Sequence, residues 1–343
     1  MRVHGKHHRT IALTEAGTAV EIIDQTRLPG AFETVTLSSL DQVSHAIRTM
    51  QVRGAPLIGV TAAFGLAIAI TRDASDTGVE STASTLLATR PTAVNLRWAL
   101  DDMRRHVAPV PLAKRGAAAF ARASALAEAD VATCRALGEN GAALLFDLWR
   151  DLGRPDPFHV LTHCNAGWLA TVDWGTALAP IYLLHAQGVP IHVWVSETRP
   201  RNQGLLTEWE LAHEGVKHTL IVDNAAGHLL AMGCVHAVIV GADRTAANGD
   251  VCNKIGTYLK ALAARDAGVP FFAAVPTSTI DLETREGKDI PIEERSASEL
   301  GAPLGVAVLN PAFDVTPARL VTAIITENGV VAPSDVATVV RSP

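Results

Sequence analysis

Between residues 40 and 50, apolar side chains recur at Leu40, Val43, Ile47 and Met50. That is the 3.6-residue period of a helix with one buried face, and Ser38 or Ser39 stands where its free amides need a cap. From Ala55 to Ile70 the chain is apolar nearly all round, with Pro56 at a first-turn position, which predicts a fully buried helix. The Ala-rich stretch from Gly116 to Trp149 has scattered charges and no proline. It predicts one or two long helices, with Gly138 or Gly141 as the place for a break. The Pro-rich segment Arg150 to Pro157 reads as a boundary.

Beyond it, short β-rich runs alternate with helical ones, the pattern of parallel strands joined by crossover helices. Strands are expected at Phe158–Thr162, Ile191–Val195, Thr219–Val222, Ala237–Gly241 and Phe271–Val275. Helices are expected at Gly175–Gln187, Leu206–His213, Ala225–Met232 and Asn253–Ala267. Each strand runs into polar residues: His163-Cys164-Asn165, Glu197-Thr198-Arg199, Asp223-Asn224, Asp243-Arg244 and Thr277-Ser278-Thr279. Ligands bind along the carboxyl edge of an open parallel sheet, so these five groups would converge on one pocket.

The 343 residues carry 29 Lys and Arg against 35 Asp and Glu, a net charge of -6, which is the wrong sign for a nucleic-acid partner. The four cysteines, Cys134, Cys164, Cys234 and Cys252, lack the paired spacings of a zinc ribbon or a disulfide framework, as expected of a reducing compartment. The basic start gives way to Ile11-Ala12-Leu13 and then Thr14-Glu15, too short an apolar run for a signal peptide. Ala55 to Ile70 is shorter than the roughly eighteen residues of a membrane span. A cytoplasmic protein without a membrane partner is expected.

There is no G-x-G-x-x-G, no G-x-x-x-x-G-K-[ST], no H-E-x-x-H and no G-x-S-x-G, so neither a nucleotide cofactor, nor a metal, nor a serine triad is expected. His192, His213, His218 and His236 read as ordinary core or surface histidines. Two segments suit a phosphate. In Arg53-Gly54-Ala55-Pro56 a glycine lets the backbone approach, and a helix start offers free amides beside a guanidinium. In Gly249 to Lys254 a glycine turn would feed a second helix start carrying Asn253 and Lys254. Asp243 follows the buried run Val238 to Ala242 and is the strongest candidate acid. Raising such a carboxyl from about 3.9 to about 7 takes roughly 4 kcal/mol of desolvation. The alternative is an Asp paired with Arg244 or Arg199, or capping the next turn. Cys164, beside His163 and Asn165, suits a thiolate base, a nucleophile or a polarizable pocket wall, whereas Cys134, Cys234 and Cys252 read as inert.

The chain also carries RGAP at Arg53–Pro56, PTAVNLRWA at Pro91–Ala99, THCNAG at Thr162–Gly167, ETRPRNQG at Glu197–Gly204 and VGADRTAANGD at Val240–Asp250. NKIGTY at Asn253–Tyr258, IPIEERS at Ile290–Ser296 and NPAFDVTP at Asn310–Pro317 complete the series. With these motifs it resembles the methylthioribose-1-phosphate isomerases and, more distantly, the regulatory subunits of the initiation-factor exchange complex. The resemblance implies an α/β protein in which residues 1–150 form a mostly helical domain with a small sheet. Residues 151–343 would form a Rossmann-like catalytic domain with a mainly parallel sheet.

It further implies a homodimer that converts the sugar 1-phosphate 5-methylthioribose 1-phosphate into its ketose in methionine salvage, without metal or cofactor. Cys164 and Asp243 would be the catalytic pair, and Arg53, Gly54, Ala55, Arg97, Gln203, Asn253 and Lys254 the substrate contacts. Leu57, Ala166-Gly167-Trp168 and Arg201-Asn202 depart from the common pattern near the far end of the sugar. They make 5-deoxyribose 1-phosphate the second substrate, and the resemblance to the family's archaeal members adds ribose 1,5-bisphosphate as a third. A non-catalytic regulatory protein of the same fold would be expected to lack Cys164 and Asp243.

Overall fold

The computed structural model describes residues 1–303 and 305–340, which form two compact units. The first comprises Met1–Thr133 with Trp168–Gly175, and the second comprises Cys134–Gly167 with the chain from Thr176 onward.

In the first unit, β1 (Arg2–Val3) and β2 (Lys6–His7) pair as a hairpin. The strands β3 (Ile11–Leu13), β4 (Val20–Ile23) and β5 (Thr34–Leu37) form an antiparallel sheet in that order. Helix α1 (Leu40–Thr49) starts where the periodicity placed it, with the Ser39 hydroxyl accepting the Gln42 N–H, and buries Val43 and Ile47. Helix α2 (Ala55–Ile70) exposes no face: every residue but Ala55, Pro56 and Ala69 is buried. Its neighbours are α1, α3 (Asp76–Leu87) and α4 (Val94–Val107), whose apolar residues Val79, Leu86, Leu96, Leu100 and Met103 complete one core with it.

Helix α5 (Leu112–Asp151) is continuous over 40 residues, so neither Gly138 nor Gly141 breaks it. The glycines serve packing instead. A Cβ on Gly138 would lie 2.8 Å from the Ala179 Cβ, and one on Gly141 would lie 2.5 Å from Pro180 Cγ. The passage between the two units falls inside α5, upstream of Arg150 to Pro157, because the Ala-rich run holds no residue that interrupts the helical ladder.

The second unit is built on β6 (Phe158–Thr162), α6 (Ala179–Ala186), β7 (Ile191–Ser196), α7 (Gly204–His213), β8 (Lys217–Ile221), α8 (Ala225–Ala231) and β9 (Ala237–Val240). It continues through β10 (Arg244–Ala246), β11 (Val251–Lys254), α9 (Thr257–Asp266), β12 (Phe271–Ala274), β13 (Ile280–Asp281), β14 (Phe313–Thr316), β15 (Ala323–Thr326) and β16 (Gly329–Val331). The main sheet has the order β16-β15-β12-β9-β6-β7-β8 and is parallel except at β16. Leu161, Val238, Val240, Phe271 and Ala273 pack on Ala226, Leu230, Ala261 and Ala264 of α8 and α9. All five expected strands are present.

The expected helix start at Asn253 also fails. Gly249, at φ 84°, turns the chain from β10 back into β11, where Asn253 and Lys254 pair with Asp314 and Phe313 of β14. Helix α9 begins only at Thr257, after Gly256 at φ 98°. Val251, Cys252 and Asn253 are all buried in β11, and the ladder to β10 and β14 overrides the helix-start reading.

Candidate active site

From β6 the chain proceeds outward through β7 to β8, and then returns to place β9 on the other side of β6 before moving on to β12 and β15. The order therefore reverses between β6 and β9. At such a switch point the loops leaving neighbouring strands diverge and open a crevice at the carboxyl edge. Val160 and Leu161 pair with Ala237 and Val238, so these neighbours, about 4.8 Å apart, deliver Cys164 and Asp243 to the same edge.

Cys164 sits in the left-handed region at φ 69° and is held from both sides. Its N–H donates to the Thr198 hydroxyl at 2.9 Å, and its carbonyl accepts the Thr207 hydroxyl at 2.8 Å. Below it, Asn165 donates its amide to Thr207 and, at 2.7 Å, to Glu210, whose second oxygen accepts the Tyr182 hydroxyl at 2.7 Å. Glu210 is fully buried. Gly167 is required there, since a Cβ would stand 1.8 Å from Glu210 Oε2.

Asp243 is half-buried, and its N–H donates to the Cys252 carbonyl at 2.9 Å. Arg244 is already the ladder partner of Cys252, so two residues oppose one and the chain bulges. A bulge re-aims a side chain that regular pairing would dictate, and this one lies beside the switch point. Arg244, one reading's partner for Asp243, donates to Asp281 at 3.2 Å. Burial and the Asp243 charge push the Cys252 thiol up, as suits an inert cysteine. Asn253 is buried with its amide on Thr257, and the Lys254 ammonium stands 4.4 Å from the Phe313 ring centroid. Gln203 precedes α7 and is 6% exposed, with its side-chain oxygen buried and no hydrogen-bond partner for that atom among the described residues.

The remaining expected contacts lie in the first unit. Gly54 takes φ 90° at the start of α2, and a Cβ there would fall 2.3 Å from the Ala170 carbonyl oxygen, so only glycine fits. Arg53, largely buried, precedes it, and Ala55 opens the helix. Arg97 is exposed on the first turn of α4. Gly59 of α2 brings that turn close, because a Cβ on it would be 2.8 Å from the Asn95 carbonyl oxygen. Arg53, Gly54, Ala55 and Arg97 thus gather at two adjoining helix N-termini.

Four ionisable residues, two of them at the expected strand exits, gather under the edge. His163 bonds the Ile255 carbonyl at 2.8 Å, and burial with the nearby Lys260 charge lowers its pKa to about 3, so the ring is neutral at pH 7. Burial lowers Lys260 to about 8 and raises Asp314 to about 6. Burial opposes ionisation of Asp223, but hydrogen bonds from Ser196, Arg199 and Thr198 and the Lys260 charge hold it below its ordinary value. Asp223 is legible as a strand-exit residue, whereas nothing in the sequence marks Lys260 out within its helical stretch. Thr277, expected at the same edge, gives its N–H and hydroxyl to Glu327. Among the described residues, no group of three or more His, Cys, Asp and Glu side chains could hold a metal ion.

The model of the Initiation factor 2 subunit family matches residues 51–333. A methylthioribose-1-phosphate isomerase of Methylorubrum populi is 59% identical over 98% of this chain and 96% of its own length. The chain belongs to this family. Among solved structures, the 5-methylthioribose 1-phosphate isomerase of Pyrococcus horikoshii OT3 superposes with a TM-score of 0.86 at 41% identity, covering 97% of this chain and 96% of that one. Another family member, described as translation initiation factor eIF-2B, subunit delta, from A. fulgidus, gives a TM-score of 0.82 at 40% identity, covering 97% and 99%.

Proposed function

We propose that this chain is an aldose-ketose isomerase that converts 5-methylthioribose 1-phosphate to 5-methylthioribulose 1-phosphate in methionine salvage. The observation that carries the reading is the switch point, where a thiol and a carboxyl leave adjacent strands β6 and β9. Relatives named for that reaction match the chain over nearly its whole length. A purely regulatory subunit would require neither Cys164 nor Asp243.

A sugar phosphorylated on its anomeric oxygen cannot open to a free aldehyde, so the ring oxygen has to be protonated while the phosphate stays attached. In this reading Asp243 is the acid. The hydrogen on C2 then moves to C1. On a proton route Cys164 thiolate removes it and a phosphoenolate forms; on a hydride route it crosses directly to a cationic C1 and the thiol shapes the site. In the first unit, the starts of α2 and α4 with Arg53 and Arg97 offer amides and guanidinium groups, and in the second unit Gln203, Asn253 and Lys254 offer amide and ammonium groups; each set suits a phosphate or hydroxyls. The reading includes a cytoplasmic homodimer acting on a small molecule.

The test is incubation of the purified protein with 5-methylthioribose 1-phosphate, 5-deoxyribose 1-phosphate and ribose 1,5-bisphosphate, following ketose formation by NMR. Ketose formation with the highest kcat/KM on the methylthio sugar is expected, and no turnover of any of them refutes the reading. Deuterium at C2 retained in the product assigns the hydride route, and complete wash-out assigns the proton route. Light scattering reports the dimer.

A further inference from the structure

Two residues other than glycine share an unusual backbone state at this edge and are bonded to each other. Cys164 has φ 69°, and Thr198, which donates its hydroxyl to the Ser196 carbonyl at 2.9 Å and accepts the Cys164 N–H, has φ 67°. A β-branched residue in the left-handed region is a true outlier that persists only when its surroundings impose it. Here one carboxylate holds the backbone amides of the turn. Asp223, beyond the end of β8, accepts the Thr198 N–H at 2.9 Å on one oxygen, which also takes the Ser196 hydroxyl, and the Arg199 N–H at 2.8 Å on the other. His163 and the Lys260 ammonium face it at 3.8 and 3.9 Å, and both are buried. From Thr198 the constraint runs on to Gln203: the Thr198 carbonyl accepts the Asn202 N–H, and the Gly204 N–H returns to Glu197.

We infer that Asp223 is a positioning residue of the isomerase site, holding Thr198 in its strained turn so that the Thr198 hydroxyl fixes Cys164 and the closed turn sets Gln203. The inference rests on the proposed reaction for its kinetic consequence only. Without the carboxylate, Thr198 relaxes to negative φ, its hydroxyl leaves the Cys164 amide, and Cys164 is no longer held in the left-handed state. A misplacement on the order of 1 Å costs about 100-fold in rate. Asp223→Ala therefore lowers kcat by about 100-fold with a smaller change in KM. Asp223→Asn, which keeps one acceptor oxygen, falls between Ala and wild type.

Thr198→Val separates positioning from folding: it keeps shape and β-branching, removes only the hydroxyl, and reproduces the kcat loss of Asp223→Ala. Thr198→Ser restores most of the rate. A second readout needs no sugar phosphate. Native alkylation by iodoacetamide, resolved by peptide mass spectrometry, gives the rate at Cys164 relative to Cys234 in the same sample. That ratio rises at least about fivefold in Asp223→Asn and Thr198→Val, as the local restraint is lost, and stays at the wild-type value in Thr198→Ser. An unchanged ratio in both refutes the inference, whether or not the wild type turns over the sugar. Turnover by wild type with kcat unchanged in Thr198→Val refutes it as well. No turnover by wild type with a raised ratio removes the proposed reaction and leaves the positioning intact.

Discussion

Histidines stand at both ends of β6, His159 near its amino end beside His192 of β7 and His163 just past its carboxyl end, and the two ends are organised differently. Near the amino ends, His159 meets His192 at 3.2 Å, His236 accepts the His159 N–H, and Trp194 stacks on His159 with ring centroids 5.5 Å apart. These rings are partly exposed, and burial lowers all three pKa values. At the carboxyl end, His163 is fully enclosed among Thr198, Asp223, Lys260 and Ile255, and the backbone beside it is forced into positive φ at Cys164 and Thr198. Rings that pack on one another need no strain. A fold that tolerates left-handed non-glycine residues and buried charges at one edge spends stability there on geometry.

The comparison breaks first at the chemistry. Asp243→Asn keeps the shape of the side chain but removes its titratable proton, and is expected to lower kcat about 1,000-fold. Cys164→Ser is expected to lose about 100-fold while still binding substrate; both are read by NMR on 5-methylthioribose 1-phosphate. Near-normal turnover in either variant returns that residue to a structural role.

The next effect is on stability. Gly167→Ala drives a methyl into Glu210, which is hydrogen-bonded on both oxygens and cannot retreat. A loss of about 3 kcal/mol in urea unfolding is expected. A loss below about 1 kcal/mol would mean that the network under Cys164 yields easily.

The pH dependence sharpens the contrast between the histidines. His163 has its folded pKa lowered from 6.5 to about 3, so below pH 6.5 the unfolded chain takes up a proton that the folded chain refuses. Its contribution is harmless above 6.5 and becomes a loss as pH falls toward 3, amounting to about 2 kcal/mol at pH 5. Unfolding free energies of wild type and His163→Gln, measured in urea between pH 7 and 5, should converge by that amount. The smallest effect belongs to the other end: His192→Gln should change stability by less than about 1 kcal/mol and kcat not at all. A large kcat change there would erase the distinction between the two ends.

Much of this was legible beforehand, because it depends on local pattern. The cap at Ser39, the wholly buried helix from Ala55, and five strands leading into polar residues follow from period and punctuation, which neighbouring residues alone enforce. Asn253 and Lys254 lie in a strand and not at a helix start for the converse reason: a glycine followed by polar residues reads alike before a helix and inside a hairpin, and only the partners on β10 and β14 distinguish them. Gly138 and Gly141 read as possible break points in the sequence because the close approach of Ala179 and Pro180, some forty residues away, leaves no trace near them.

Residue order alone determined the first two helices, the long Ala-rich helix and the five central strands with the polar residues that follow them, and it nominated side chains for acid, base and phosphate chemistry. It left open that β9 returns beside β6, that Asp243 rides on a bulge against Cys252, and that Asp223 bends Thr198 beneath Cys164. Periodicity is a property of adjacent residues, whereas strand order, register and backbone strain arise from hydrogen bonds between segments tens of residues apart, and those exist only once the sheet has assembled.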